Sequence, residues 1–136
     1  MILDELAAYL ATTGVGYSTV GTDIFKGFLP DTPDSCLSVY EYAGLPSQKA
    51  MQLGAGQAVV ERPRVQITCR GTARDYSTPR SNAKTVWQRL DGLGAQDMSA
   101  ITYLFVEALG SPFELMRDEN ERVVIACNYQ VQKRAS

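Results

Sequence analysis

Apolar residues repeat along this chain with two different periods. At the start, Ile2, Leu3, Leu6, Tyr9 and Leu10 recur at helical spacing. Asp4 and Glu5 stand early, where a helix dipole favours anions, so residues 2–12 are predicted to be a short helix that Gly14 and Gly16 end. Residues 23–29 predict a strand. Pro30, Asp31, Pro33 and Asp34 turn the chain, and the β-formers of residues 36–42 predict the next strand. Residues 64–70 alternate strictly. Val65, Ile67 and Cys69 face one way and Arg64, Gln66, Thr68 and Arg70 the other, as in a half-buried strand with a polar second face. Pro79 suits the start of a helix over 79–93, with Ser77 or Thr78 as its cap and Gly92 or Gly94 past its end. Ala83, Val86, Trp87 and Leu90 mark one face of that helix, and Trp87 reads as a core anchor. Residues 101–106 predict a strand, 113–116 a short strand or a turn of helix, and 117–122 a polar tip. Over 122–133 the alternation returns. Val123, Ile125, Cys127, Tyr129 and Val131 take one face, and Asn128, Gln130 and Gln132 the other.

Strands joined mostly by turns, with two helices among them, predict an α+β fold: a mainly antiparallel sheet with both helices packed on it, one domain over residues 1–136. Residues 43–62 stand apart. Gly44, Pro46, Gly54 and Gly56 punctuate a stretch that also holds Met51, Leu53, Val59 and Val60. It is read as a long loop, ordered by a neighbouring subunit that covers its apolar residues. Met51, Leu53, Val59 and Val60 are therefore candidate interface residues. Arg64 and Arg70 join them, because arginine on a mixed polar face is enriched where subunits meet.

Composition narrows the chemistry. The 136 residues are 45% hydrophobic and 21% charged, as in a globular chain. No apolar run approaches the ~18 residues of a membrane span, and no basic-then-apolar leader is read at the start, so no membrane partner and no signal peptide are expected. Cys36, Cys69 and Cys127 lie in β-like apolar stretches and are expected to be buried thiols in a reducing compartment. The chain has no histidine, which removes Ser-His-Asp and Cys-His devices and the usual zinc ligand sets. No carboxylate pair has the spacing of a shared site, and Gly54-Ala55-Gly56 is too short for a phosphate loop. No catalytic, cofactor-binding or metal-binding residue is predicted.

Formal net charge is -2, unevenly spread. Residues 1–35 carry five acids against Lys26, while residues 36–75 carry five bases against three acids. That excess is too mild for a nucleic-acid surface. Tyr40 and Tyr42 could stack bases, but a buried or interface role suits them better.

Three stretches, in order, resemble one family. Arg62-Pro63-Arg64-Val65-Gln66-Ile67-Thr68-Cys69-Arg70-Gly71 resembles a central Pro-X-Val-Gln-X-X-X-Arg-Gly strand. Asp75-Tyr76 leading into the helix 79–93 is similar to the aromatic-then-helix step that follows it. Ser111-Pro112-Phe113-Glu114-Leu115, then Arg117-Asp118-Glu119-Asn120-Glu121-Arg122 and Asn128-Tyr129, resemble an ending with a Pro and Leu, an Arg-Asp-Glu turn, an Arg and an Asn-aromatic strand. The family is that of the tail terminator and minor capsid proteins of long-tailed, siphovirus-like bacteriophages. Met116 stands where that pattern has a glycine before the turn, and Glu121 where a turn glycine is common.

The resemblance implies a tail-terminator-like fold and a non-enzymatic virion protein, in the host cytoplasm during assembly. It implies a homohexameric ring on the head-proximal end of the tail, which ends growth of the tail tube. Its partners would be further copies of itself, the tail tube protein and the head-tail connector or stopper protein. Genome DNA would pass through its channel without specific binding. Two other readings stay open: a neck or stopper ring subunit, and, from a different class, a small α+β ligand- or nucleic-acid-binding module.

Overall fold

A computed structural model describes residues 2–48 and 60–134. Two helices and seven strands follow in the order α1 (Ile2–Thr12), β1 (Ile24–Lys26), β2 (Cys36–Gln48), β3 (Val60–Ala73), α2 (Ser77–Leu90), β4 (Leu93–Met98), β5 (Ile101–Ala108), β6 (Phe113–Arg117) and β7 (Arg122–Arg134). The strands form one sheet in the order β1-β2-β3-β7-β5-β4, and β6 also pairs with β7. All pairings are antiparallel except β1 with β2. This is the expected α+β arrangement.

β7 organises the sheet. β3 lies along one of its sides, with Ile67 opposite Cys127 and Val65 opposite Tyr129. Its other side is shared: β6 takes the first part, with Phe113 opposite Ala126, and β5 takes the rest, with Val106 opposite Val131. The alternating residues predicted to share a face do so. Val65, Ile67, Cys69, Val123, Ile125, Cys127, Tyr129 and Val131 are buried together with Leu6 and Leu10 of α1 and Val86 and Leu90 of α2. That face is the core, and both helices cover it.

One ion pair is sealed into this core. Lys133 Nζ on β7 lies 2.8 Å from Glu5 Oε1 on α1, and the Tyr103 hydroxyl donates to the same carboxylate oxygen at 2.7 Å.

Several boundaries differ from the sequence reading. β1 keeps only three residues of the predicted 23–29 strand. α2 starts at Ser77 with Tyr76 at the N-cap position, and Asp75, one residue further out, supplies the side-chain bond: its Oδ1 accepts from Thr78 N–H at 3.2 Å. Gly92, at φ 79°, turns the chain directly into β4, a strand that the sequence pattern does not predict. Trp87 packs against the core but is only half-buried.

The predicted loop 43–62 is shorter than expected, because β2 runs to Gln48 and β3 begins at Val60. Gly44 does not break the strand. It sits beside a register shift between Tyr42 and Leu45, where a Cβ would come within 2.9 Å of the Arg62 carbonyl oxygen. Glycine there permits close approach of two backbones at a bulge.

Candidate functional site

The sheet face turned away from the helices carries the features that could meet a partner. Its side chains fall in cross-strand rows. Phe25, Ser38, Thr68, Ala126 and Phe113 form one row across five strands, and Tyr40, Gln66 and Asn128 form another.

One end of this face is closed over by the chain itself. Arg70, a candidate interface residue on the polar strand face, is 2% exposed. Its Nε donates to the Asp34 carbonyl at 2.9 Å and its NH2 to the Pro33 carbonyl at 2.7 Å. Arg122 works beside it. It donates from Nε to Asp118 Oδ2 at 2.7 Å, from NH1 to the Asp31 carbonyl at 2.6 Å and Asp34 Oδ1 at 3.0 Å, and from NH2 to Asp31 Oδ1 at 3.0 Å. Two buried guanidiniums thus fasten the proline-rich turn 30–34 onto the sheet. Burial pushes the Asp118 carboxyl up, but hydrogen bonds from the Arg122 backbone and guanidinium outweigh it and hold the group below the usual carboxylate range. Ser38 Oγ adds a bond to the Phe28 carbonyl at 2.8 Å.

The Arg-Gly pair of the central strand now has a physical account. Arg70 holds the turn on one face. On the other, Gly71 leaves room for Pro79, whose Cδ would lie 2.8 Å from an added Cβ. The departure at Glu121 has one too. Glu121 adopts φ 61° and faces Arg74 at φ 62°, in the left-handed region that favours glycine. The pair is tied by Arg74 N–H to the Glu121 carbonyl at 2.9 Å and by an Arg74–Glu121 ion pair.

Away from the turn the face is open. Arg64 is half-buried and donates to Gln130 Oε1 at 2.7 Å, while Gln66 donates to Asn128 Oδ1 at 3.1 Å. Tyr40, Tyr42, Gln66 and Asn128 line a shallow hollow of about 290 Å³. Of the apolar interface candidates, Val60 is 9% exposed and paired in β3, and Met51, Leu53 and Val59 lie outside the described residues.

The strongest exposed apolar features were not among the predicted residues. Leu109, Phe113, Leu115 and Met116 are 40–48% exposed on and beside β6. At the opposite edge Val20 is 40% and Phe28 56% exposed, and Phe28 packs on Phe25 with ring centroids 5.6 Å apart. A signal for the first patch existed: Phe113, Leu115 and Met116 put apolar residues on both faces of a five-residue strand, more than one buried face requires.

The described residues offer little to a cofactor. No group of three or more carboxylates or thiols among them could hold a metal ion. Burial pushes the Cys69 thiol up to about 12 and raises Cys36 and Cys127 as well, which makes all three poor nucleophiles. No helix among the described residues is long and apolar enough to cross a membrane.

Two solved chains share this fold. A chain from the virion of a native gene transfer agent particle superposes with a TM-score of 0.61 at 14% identity, covering 96% of this chain and 94% of that one. A second solved chain gives a TM-score of 0.52 at 15% identity, covering 99% of this chain and 93% of that one. At such identities the likeness concerns the fold. Comparison with curated protein sequences gives no match. A model of the bacteriophage tail terminator proteins matches residues 9–134, a span that includes the Arg70–Gly71 strand, the Asp75–Thr78 bond and the Asp118–Arg122 turn. The chain therefore belongs to the bacteriophage tail terminator family and is a structural protein of the phage tail.

Proposed function

We propose that the protein closes into a ring of six copies on the head-proximal end of the tail, ends polymerisation of the tail tube and presents a surface to the head-tail connector. The observation that carries this reading is the family match over residues 9–134, nearly the whole fold. The gene transfer agent virion, whose chain shares the fold, supports a place in a virion. In this reading the protein acts by binding and geometry, without catalysis. Arg64 and the segment bearing Met51, Leu53 and Val59 add contacts to neighbouring proteins.

The channel of such a ring has to let DNA through. A net charge of -2 per copy suits a passive passage, since tight holding would need many cationic contacts to phosphates.

The test is a tube-growth assay. Purified tail tube protein is polymerised with and without this protein, and tube lengths are measured by electron microscopy alongside native mass spectrometry of the protein alone. Shortened tubes capped at one end, together with a discrete ring mass, are expected. Tubes of unchanged length with no end-bound density would overturn the proposal. A gel shift on duplex DNA at physiological salt is expected to show no retarded band.

A further inference from the structure

The two exposed apolar patches stand in a specific relation. Phe25 on β1 and Phe113 on β6 are the two ends of one cross-strand row, through Ser38, Thr68 and Ala126. Strands in a sheet lie about 4.8 Å apart, so the patches are roughly 19 Å apart along the sheet and cannot cover each other within one copy. Each sits at a sheet edge, where exposed apolar residues mark a contact with another chain.

The edges differ in kind. At β1 the backbone of Ile24 is already occupied: its N–H donates to the Thr19 carbonyl at 3.2 Å, and its carbonyl accepts from Gly21 N–H at 2.8 Å. What this edge offers is a recess of about 310 Å³, walled by Val20, Phe25 and Phe28 and their neighbours. At β6 all five residues are exposed, and Phe113 and Met116 lie opposite Ala126 and Val124, on the same face as Phe25. One edge holds a recess and the other an exposed apolar strip.

We propose that the Phe113–Met116 strip of one copy seats in the Val20–Phe25–Phe28 recess of the next, joining copies head to tail. A ring needs such a heterologous contact, in which two different patches meet; a single self-complementary patch would stop at a dimer. Strand directions agree. β1 and β6 run in opposite senses, so copies related by rotation about an axis along the strands bring β6 beside its neighbour's β1 in antiparallel orientation. Charge agrees as well. Glu114 shares the row of Ile24 on the helix-covered face, and Lys26 lies on that same face. Seating the strip therefore brings the Glu114–Arg117 ion pair beside the Lys26–Asp4 ion pair, two charges of each sign. This contact rests on the ring reading above and gives it an address.

The test mixes two variants, each with one added surface cysteine. Phe28→Cys and Met116→Cys are purified separately, mixed and treated with a short bismaleimide. The native cysteines do not interfere, because all three are at most 2% exposed. Cross-linked dimer is expected in the mixture and in neither variant alone, and a chain bearing both changes should give a ladder ending at the ring. Phe28→Asp and Met116→Asp should each weaken association at least tenfold; Met116→Asp should leave the monomer's melting temperature nearly unchanged, while Phe28→Asp, which also loses the ring contact with Phe25, should lower it only slightly. Cross-linking of either variant to itself would overturn the head-to-tail contact. A ring by native mass with no mixed cross-link would overturn this contact and leave the ring reading standing. A protein that neither forms rings nor cross-links would overturn both.

Discussion

Glu5 and Lys133 lie 128 residues apart in sequence and 2.8 Å apart in space, with side chains 5% and 1% exposed. Removing one partner of such a buried pair strands the other charge, at a cost of about 3–5 kcal/mol. Lys133→Met is expected to destabilise the protein by about 3 kcal/mol, read as a urea-unfolding midpoint shift. The same pair gives an acid limb. Burial pushes the Glu5 carboxyl up, but hydrogen bonds from Lys133 and Tyr103 outweigh it and leave the group below its ordinary 4.5. An acid depressed in the folded state stabilises fully above its ordinary value and loses that stability as pH falls through the folded one. Stability should therefore decline below about pH 4.5, and Glu5→Gln should be less stable near neutrality with a flatter decline.

Arg70 and Arg64 should separate cleanly, although they share one polar face in the sequence. Arg70→Glu places a carboxylate against the carbonyls of Pro33 and Asp34 and should cost about 3 kcal/mol or more. Arg64→Glu loses one half-buried bond to Gln130 and should cost about 1 kcal/mol. Thermal melts of the two variants test this. Equal losses would mean that the turn 30–34 is not held by Arg70.

Trp87→Ala should be milder than a fully buried truncation. A buried Trp loses roughly 3–5 kcal/mol on truncation, and half burial lowers the expectation to about 2 kcal/mol. Leu90→Ala, on a side chain with no exposure, should cost about 3 kcal/mol. The order Leu90 above Trp87 is the measurable point.

Glu121→Gly should stabilise. A non-glycine residue in the left-handed region costs roughly 1–2 kcal/mol, and the exposed Arg74–Glu121 pair that would be lost contributes at most about 1 kcal/mol. A gain of about 0.5 kcal/mol is expected, seen as a melting temperature higher by about 2 °C. A lower melting temperature would show that the pair outweighs the backbone strain.

The centre of the sheet was legible because Val65–Cys69 and Val123–Val131 alternate over enough residues to define a face. β1, β4 and β6 were harder. Each is short, and β4 follows a helix so closely that Gly92 reads as a cap alone. Alternation told which side Arg70 takes but not what covers it. Only the folding-back of 30–34 decides that, and proline-rich turns do not announce where they land. The candidate contact surface stayed hidden for a related reason. Phe25 and Phe113 are 88 positions apart, and nothing local says that they end one row of the same sheet.

The position of β7 has a consequence for synthesis. It is the strand on which β3, β5 and β6 all close, and it is the last strand of the fold. While a ribosome is still making residues 122–134, the growing chain has the helices and the outer strands but not the strip that joins them. Its two halves can only wait, with their apolar faces uncovered, for translation to pass residue 134. β3, β5 and β6 therefore cannot close into one sheet until residues 122–134 have emerged, and such non-local pairing makes folding slow.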